Sequence, residues 1–355
     1  MKIHLIIAAL LYTASCTGGA TDKQIKTEIV KEITVDPQAT RYINRLYPNM
    51  STFPDSDYLA ISNATEPANI ILVDFKGEFV ERLGSQGRGP DELESARYFG
   101  ISEQEQVVVY DQNQGLIKEF DTVTDTVISN EADIQGHYIT SLNLSPCNGK
   151  WLAAIDKLEG STMGVPEQET PVIAVFDDQF QNTHTLGRYD PFFIGEGPDI
   201  QQEPLFSVDC GSGVVYTTHS KVPFIQKTDA ATDKLMHRTS HKPASFRLSD
   251  DFISLIEDPV SFEAFLINEQ SVTSHITHTD ELLLLTWFNE TEEFYQSRDY
   301  REREYHIAAF DRSDYTYYGE VKIEGAVMGS TSEGYLIELV DDDPDNFTVR
   351  FLEVR

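Results

Sequence analysis

The sequence predicts an all-β fold, a six-bladed β-propeller built from four-stranded antiparallel blades. Three observations predict it. Short β-type segments recur between turn residues, as in IILVD at 70–74 and ELLLLTW at 281–287. Long amphipathic helices are nearly absent. Two stretches of the chain also read as copies of one unit, which is typical of repeat architectures.

The repeated unit spans residues 71–92 (ILVDFKGEFVERLGSQGRGPDE) and residues 173–200 (IAVFDDQFQNTHTLGRYDPFFIGEGPDI). Each copy runs strand, tight turn, strand, Leu-Gly, and then a glycine-rich loop containing Gly-Pro-Asp. A further strand pair follows each copy. Units of four short strands that repeat in this way favour a propeller over other β architectures.

Counting four strands per unit gives five complete blades and a sixth with only three strands. The blades are predicted at 41–83, 96–129, 138–187, 204–238, 272–321 and 325–354. The N-terminal segment 25–35 (IKTEIVKEITV) is rich in β-branched residues, so we predict that it is the fourth strand of the last blade. This pairing closes the ring and removes exposed edges.

Alternation along this closing strand places four apolar side chains on one face, namely Ile25, Ile29, Ile33 and Val35. The propeller is thus predicted to span 25–355. One short helical insertion is expected within 240–271, because apolar residues fall at helical spacing over 250–266 around a proline.

The first fifteen residues predict an export signal. Lys2 is followed by an apolar run at 3–11 and by the small residues before Cys16. The run is too short to cross a bilayer. Thr-Ala-Ser-Cys resembles a bacterial lipobox, although Thr13 stands where leucine is usual. We therefore predict a lipoprotein signal peptide at 1–15, lipidation of Cys16 and a tether at 16–24; simple secretion with cleavage nearby is the alternative.

The charge balance restricts the partners. The chain has 27 basic and 59 acidic residues, a formal net charge of −32. Such a field repels nucleic acids and anionic membrane surfaces, so we expect no nucleic-acid partner and membrane contact through the lipid anchor alone. Cationic ligands, metal ions and neutral sugars remain open. The solubility of an exported protein is the favoured explanation of the acidity. We expect an exported monomer held at the cell envelope, at the outer membrane.

Two cysteines besides Cys16 predict a disulfide. Cys147 and Cys210 both fall in the turn between the first two strands of adjacent predicted blades, and so on the same face. Exported proteins meet an oxidising compartment. The two cysteines form a bond if their Cα atoms lie within about 7 Å.

The segment VDFKGEFVERLGSQGRGPDE and the hairpin VVVYDQNQGLIKEFD at 107–121 resemble a bacterial family of six-bladed β-propeller lipoproteins with NHL-like repeats. In that family a G-x-G-P-(G/D)-E loop links one blade to the next. The resemblance covers residues 69–121 and, less closely, 171–229, where Ile200 replaces the glutamate. It implies a fold and a compartment but no activity.

Loop lengths indicate where a ligand binds. In a propeller, connections between the second and third strands share one face with the connections between blades. All the long predicted connections belong to this set: 157–170, 189–203, 240–271 and 288–304. Long loops in compact domains are often binding loops, so this rim is the predicted ligand face. The alternative is that these loops are tolerated insertions.

Aromatic and arginine side chains alternate within 288–304, a composition typical of binding hot spots. The candidate ligand-face residues are Arg88, Phe193, Tyr295, Arg298, Tyr300 and Arg301. The alternative for 288–304 is a loop that packs its own aromatic residues. For Arg88 it is an ion pair with Asp91 or Glu92 that fixes the corner between two blades, since Gly-Pro loops are usually turns.

No catalytic motif is present, and no catalytic residue is assigned. Weak candidates for a channel metal are Asn143, Glu203, Asp209 and His275. The acidic loop at 341–346 offers oxygen ligands for calcium, but it lacks EF-hand spacing and is better explained as a solvated turn. No cofactor is therefore predicted.

Two functional hypotheses remain. One is a tethered binding propeller that captures a glycan, peptide or protein on its loop-rich face. The other is a metal-assisted hydrolase or lactonase acting in the central channel, which requires a bound metal ion at stoichiometric amounts.

Overall fold

A computed structural model describes residues 25–43, 49–63, 67–134, 137–140, 143–157, 170–193, 203–249 and 259–355. Six small antiparallel sheets are arranged as a six-bladed β-propeller, which confirms the predicted fold. The predicted signal peptide, Cys16 and the tether at 16–24 lie outside the described residues.

The first three blades follow one another along the chain. Blade 1 contains β2 to β5: Met50–Thr52, Tyr58–Asn63, Asn69–Asp74 and Phe79–Leu83. Blade 2 contains β6 to β9: Tyr98–Ile101, Val107–Asp111, Leu116–Asp121 and Thr126–Glu131. Blade 3 contains β10 to β14: His137–Ile139, Ser145–Cys147, Lys150–Lys157, Ile173–Phe176 and Asn182–Leu186. Its innermost strand is in two pieces, β10 and β11, which both pair with β12.

The last three blades complete the ring. Blade 4 contains β15 to β18: Pro204–Asp209, Val214–His219, Val222–Asp229 and Lys234–Arg238. Blade 5 contains β19 to β22: Ser271–His278, Leu282–Asn289, Glu304–Asp311 and Tyr317–Ile323. Blade 6 contains β23 to β25 and the N-terminal strand β1: Ala326–Ser330, Leu336–Asp341, Thr348–Val354 and Thr27–Thr34.

Strand β1 closes the ring as predicted, because it pairs antiparallel with β25 along its whole length. The predicted face of β1 is wrong in part. A β-bulge between Ile29 and Lys31 reverses the alternation. Ile25 therefore packs with residues of blade 5, and Ile33 packs against blade 1. Ile29 is 51% exposed at the outer edge.

The core lies between the blades. Neighbouring sheets pack face to face, so a middle strand such as β4 is apolar on both faces; Ile71 packs towards blade 6 and Leu72 towards blade 2. Both side chains are almost fully buried, at 0% and 1% exposure. The near-continuous apolar runs in the sequence follow from this two-sided burial.

A shared aspartate ends the third strand in five blades. The residues are Asp74, Asp121, Asp177, Asp229 and Asp311. Each carboxylate accepts two backbone N–H groups of its own turn at 2.7 to 3.2 Å. Aspartate favours such turns because its side chain satisfies donors that no strand partner reaches. The hairpin after the third strand therefore turns at an aspartate in five blades, always on the same side of the ring.

The described residues contain three short α-helices: α1 (Pro37–Thr40), α2 (Pro259–Asn268) and α3 (Glu292–Ser297). Helix α2 lies within the predicted insertion, of which residues 250–258 are outside the described part. Helix α3 was predicted as loop. Its N-cap is Thr291, whose hydroxyl accepts the N–H of Phe294 at 3.1 Å, and two glutamates occupy its first turn.

Candidate functional site

The long connections lie on one face of the ring. Strand order places the described ends of the connections 157–170, 186–204 and 238–271, and the connection 289–304, on this side, which we call the loop-rich face. Residues 158–169, 194–202 and 250–258 of these connections lie outside the described part of the chain. The opposite side carries the tight hairpins, such as those at 121–126 and 176–182, and is the short-turn face. The two ends of the described chain also meet on the short-turn face, where the N–H of Lys26 donates to the carbonyl of Arg355 at 2.9 Å.

Six side chains gather where the innermost strands of blades 2, 3 and 4 reach the loop-rich face. We call this group the mouth cluster, and its members are Arg97, Tyr98, Tyr138, Asp156, Tyr189 and Glu203. Tyr98 is the first residue of β6, Arg97 directly precedes it, and Glu203 directly precedes β15. Because these strands run away from the loop-rich face, their first residues line the entrance of the central channel.

Asp156 is the polar centre of the mouth cluster. The hydroxyl of Tyr138 donates to its carboxylate at 3.1 Å, and the hydroxyl of Tyr189 also hydrogen-bonds to it. Burial, with the negative charge of Asp156 beside it, raises the pKa of both phenols well above the usual range. Both tyrosines are therefore neutral donors at physiological pH.

Glu203 and Arg97 face each other across the entrance. Their closest nitrogen and oxygen atoms are 3.9 Å apart, which is too long for a hydrogen bond. Their side chains keep 49% and 46% of their accessible surface. The surrounding protein nevertheless raises the pKa of Glu203 by burial, and Arg97 partly opposes that rise. Among the described residues, neither charged group has a closer polar partner.

The Arg97 guanidinium also lies over an aromatic ring. Its central carbon is 5.6 Å from the ring centre of Tyr98, within the range of a cation–π contact. The Tyr98 ring packs 6.0 Å from that of Tyr110, and burial raises the pKa of both phenols. The mouth cluster thus offers an aromatic surface that already accepts a cation.

His219 lies behind Tyr189. It is fully buried, and its ring stacks on Tyr189 at 5.0 Å and contacts Phe193 at 5.3 Å. Neither ring nitrogen has a hydrogen-bond partner among the described residues. Burial lowers the pKa of His219 to about 4. Phe193, a predicted ligand-face residue, is itself fully buried and forms part of this stack.

The predicted aromatic and arginine loop at 288–304 packs largely on itself. The Arg303 guanidinium holds Glu290 through two hydrogen bonds, at 2.7 and 3.2 Å, and lies 3.9 Å from the Phe294 ring centre. The Arg298 guanidinium lies 5.0 Å from the ring centre of Tyr295. These contacts match the alternative in which the loop packs its own aromatic residues.

The other two candidates of this loop are also engaged. Arg301 binds Asp299 at 2.6 Å and Asp341 at 3.2 Å. The backbone carbonyl of Tyr300 accepts the hydroxyl of Tyr305 at 3.0 Å. The guanidinium of Arg301 therefore links this loop to the acidic loop of blade 6.

Arg88 lies on the corner between blades 1 and 2. Its predicted partners are wrong, because it pairs with Glu94 at 2.8 Å while 78% of its side chain is exposed. The Glu92 carboxylate instead accepts the N–H of Gly89 at 2.6 Å. Buried Lys118 of blade 2 donates to the carbonyls of Gly89 and Glu92. The Gly-Pro loop is therefore a structural corner.

The four weak channel candidates do not converge. Asp209 forms an ion pair with Arg312 at the short-turn end of β15, whereas Glu203 lies at the other end. Six residues of strand separate these carboxylates by roughly 20 Å. His275 lies 3.3 Å from the Ser330 hydroxyl, and Asn143 accepts the amide of Asn49 at 2.7 Å.

Within the described ranges, no three histidine, cysteine or acidic side chains are placed to hold a metal ion. The acidic loop at 341–346 closes on itself as a turn. The Asp341 carboxylate accepts the N–H of Asp343 at 3.0 Å and the amide of Asn346 at 2.9 Å, and also binds Arg301. Asp341 is thereby satisfied by protein groups.

A disulfide joins Cys147 and Cys210, whose Cα atoms are 5.4 Å apart. It links the β11–β12 turn of blade 3 to the β15–β16 turn of blade 4, on the short-turn face. The amide of Asn148 donates to the carbonyl of Cys210 at 3.1 Å beside it. The bond therefore holds two neighbouring blades together at the end of the ring opposite the mouth cluster.

Several mouth-cluster residues escaped the sequence analysis. Of the six, it singled out Glu203 as a channel candidate and placed Tyr189 in a long connection. Arg97, Tyr98, Tyr138 and Asp156 were not predicted as site residues. For the first three the usable signal was positional: each stands at the start of an innermost strand, or next to it, where side chains line a propeller channel.

Comparisons with known proteins support the fold. No family model matches the chain, and no curated protein matches it. A member of the DUF4221 family from Bacteroides vulgatus is 12% identical, with 94% of this chain and 99% of that chain covered and a TM-score of 0.63. A Bacteroides fragilis protein named for its expected export is 12% identical, with 94% and 96% covered and a TM-score of 0.60.

Neither name states a ligand or a reaction. In the part of the chain that the structure describes, no helix is long and apolar enough to span a membrane. At these identities the likeness shows a shared fold, the six-bladed β-propeller.

Proposed function

We propose that this chain is an exported, non-catalytic binding module that captures its ligand at the mouth cluster. One observation carries the proposal: the mouth cluster brings three tyrosines, two carboxylates and an arginine together at the channel entrance on the loop-rich face. Propellers commonly present ligand sites at this position, where loops from several blades meet.

The cluster has the properties of a binding surface. Tyrosine supplies a large contact area with few rotatable bonds, so little conformational entropy is lost on binding. The hydrogen bonds from Tyr138 and Tyr189 to Asp156 hold two of the rings in place before a ligand arrives. The site is therefore preorganised, which improves affinity by lowering the cost of ordering.

We further propose that Cys16 is lipidated and that the chain is an envelope lipoprotein related to NHL-like propellers. The support is the lipobox-like Thr-Ala-Ser-Cys and the G-x-G-P-D-E loop. Because the described chain begins at residue 25 on the short-turn face, an anchor at Cys16 directs the loop-rich face away from the membrane. The mouth cluster then faces away from the membrane.

Fractionation tests the anchor. In an expressing bacterium, Cys16→Ser should release the protein from the membrane fraction and change its processed mass, since the thioether link is lost. Recovery of the wild-type protein with an unmodified mature N-terminus at another residue would contradict the lipidation.

Binding arrays test the site. Wild-type protein, a Tyr138→Ala variant and an Asp178→Asn variant are compared on glycan and peptide arrays. Asp178 is exposed on the short-turn face and serves as the control. Loss of a true anchor costs at least about 2 kcal/mol, or roughly 30-fold in affinity, so Tyr138→Ala should lose its ligands and the control should keep them. A ligand that only Asp178→Asn fails to bind would show that the binding site lies on the short-turn face, which contradicts the proposal.

A further inference from the structure

We infer that the ligand of the mouth cluster presents a protonated amine or guanidinium to Glu203, and that a lysine- or arginine-containing peptide segment supplies it. This inference rests on the proposed function, because it assigns a chemical class to the ligand of the same site. The juxtaposition that carries it is the loosely paired carboxylate of Glu203 beside the ring of Tyr98.

The first step concerns the capacity of the Glu203 carboxylate to accept further hydrogen bonds. Its carboxylate lies among protein atoms, which raises its pKa, yet its nearest cation is 3.9 Å away. Among the described residues no side chain or backbone group donates a hydrogen bond to it. A charge held in this way gains most from a ligand cation that reaches hydrogen-bonding distance.

The second step concerns the rings. Arg97 shows that the Tyr98 face accepts a cation, with its guanidinium 5.6 Å from the ring centre. Cation–π contacts strengthen when the cation is shielded from water. Arg97 keeps 46% of its accessible surface, so a ligand cation that is better shielded from water makes a stronger contact with the same ring.

The third step concerns which ligand suits the remaining groups. The phenols of Tyr138 and Tyr189 are already committed to Asp156, so the Arg97 guanidinium is the main donor that faces outward. A sugar needs both donors and acceptors around its hydroxyls. A lysine or arginine side chain needs only an acceptor for its head and an apolar surface for its methylene stem, which the tyrosine rings provide.

The field of the whole protein favours the same partner. A net charge of −32 attracts a basic peptide over many ångströms and repels acidic ones. Long-range attraction alone is unspecific, so the test must separate the mouth cluster from the general acidity of the surface.

Calorimetry with defined peptides makes this separation. The probe is a capped hexapeptide of alternating lysine and glycine, compared with its ε-acetylated form and with a glutamate counterpart, in 150 mM salt. We expect the lysine peptide alone to bind. Glu203→Gln should weaken it at least tenfold, whereas Asp178→Asn, the same loss of charge on the short-turn face, should change it less than twofold. Arg97→Gln should strengthen binding, since it removes the competing cation.

Each of the following outcomes would contradict the inference. If the lysine peptide fails to bind the wild-type protein, or if Glu203→Gln and Asp178→Asn weaken it equally, the inference is overturned. If a glycan binds and is lost in Tyr138→Ala but kept in Glu203→Gln, the cationic ligand is wrong and the proposed function stands. If no ligand depends on Tyr138 or Glu203, both are wrong. Unchanged melting temperatures of the variants exclude misfolding as the cause.

Discussion

Replacing His219 by phenylalanine should remove a measurable part of the acid sensitivity of the fold. His219 is fully buried between the rings of Tyr189 and Phe193, with no partner for either ring nitrogen among the described residues. Phenylalanine has a similar shape and no polar atom. At neutral pH the variant should therefore be as stable as the wild type or more stable, because two desolvated nitrogens are removed.

The magnitude follows from the two pKa values. The pKa of His219 is about 4 in the folded protein, against 6.5 for the free side chain. A lowered histidine pKa means that the unfolded state binds the proton more tightly, so stability is complete above pH 6.5 and falls as the pH drops towards 4. A difference of about 2.5 at 1.36 kcal/mol per unit gives about 3 kcal/mol. For a chain of this length that corresponds to about 5 °C in Tm.

Urea unfolding at pH 7.5 and pH 4.5 measures the effect. Between these pH values the wild type should lose about 2.5 kcal/mol more stability than His219→Phe. The matched control is His184→Phe, the same substitution at an exposed position on β14, which should behave like the wild type. If the free energy of unfolding had the same pH dependence in the wild type and in His219→Phe, the conclusion that His219 is buried in its uncharged form would be wrong.

Three further predictions concern the ring itself. Deleting residues 17–36 removes β1 and should cause aggregation and a lower Tm, because β25 becomes an exposed edge; an unchanged Tm would contradict closure by β1. Thiol titration of the denatured, unreduced protein should find no free thiol at Cys147 or Cys210, whereas two free thiols would show that the bond does not form. Replacing both cysteines by serine should lower the free energy of unfolding by about 4 kcal/mol, because the loop between them is no longer closed in the unfolded state. Lys118→Met should lower the unfolding free energy by about 2–3 kcal/mol in urea melts, because two partly buried carbonyls of the Gly-Pro corner lose the buried ammonium that donates to them. An unchanged unfolding free energy would show that Lys118 does not stabilise this corner.

Most of the fold was predictable because its signals are local. Apolar runs mark the strands, and turn residues mark their ends, so the blade count and the closing strand could be read directly. The bulge at Ile29 was not visible, because a bulge adds a residue without changing composition. Helix α3 was missed although its N-cap Thr291 and the glutamates after it are a start signal, since the surrounding segment is polar and short.

The candidate site was less predictable because it is assembled across blades. Arg97, Asp156 and Glu203 belong to blades 2, 3 and 4, and only the ring geometry brings them together. The alternation of aromatic residues and arginines at 288–304 is visible in the sequence, but it results from packing within the loop. The Arg303 guanidinium forms an ion pair with Glu290 and lies over the ring of Phe294. Composition alone does not distinguish a loop that binds a ligand from one that binds itself.

Amide hydrogen exchange with and without ligand tests the central claim most directly. The ligand is the lysine–glycine peptide, or an array-selected ligand if that peptide does not bind. Binding at the mouth cluster predicts slower exchange at 96–101, 137–140 and 203–206, with no change in the hairpins at 121–126 and 177–181. Protection of those hairpins, with unchanged exchange at the channel entrance, would contradict it.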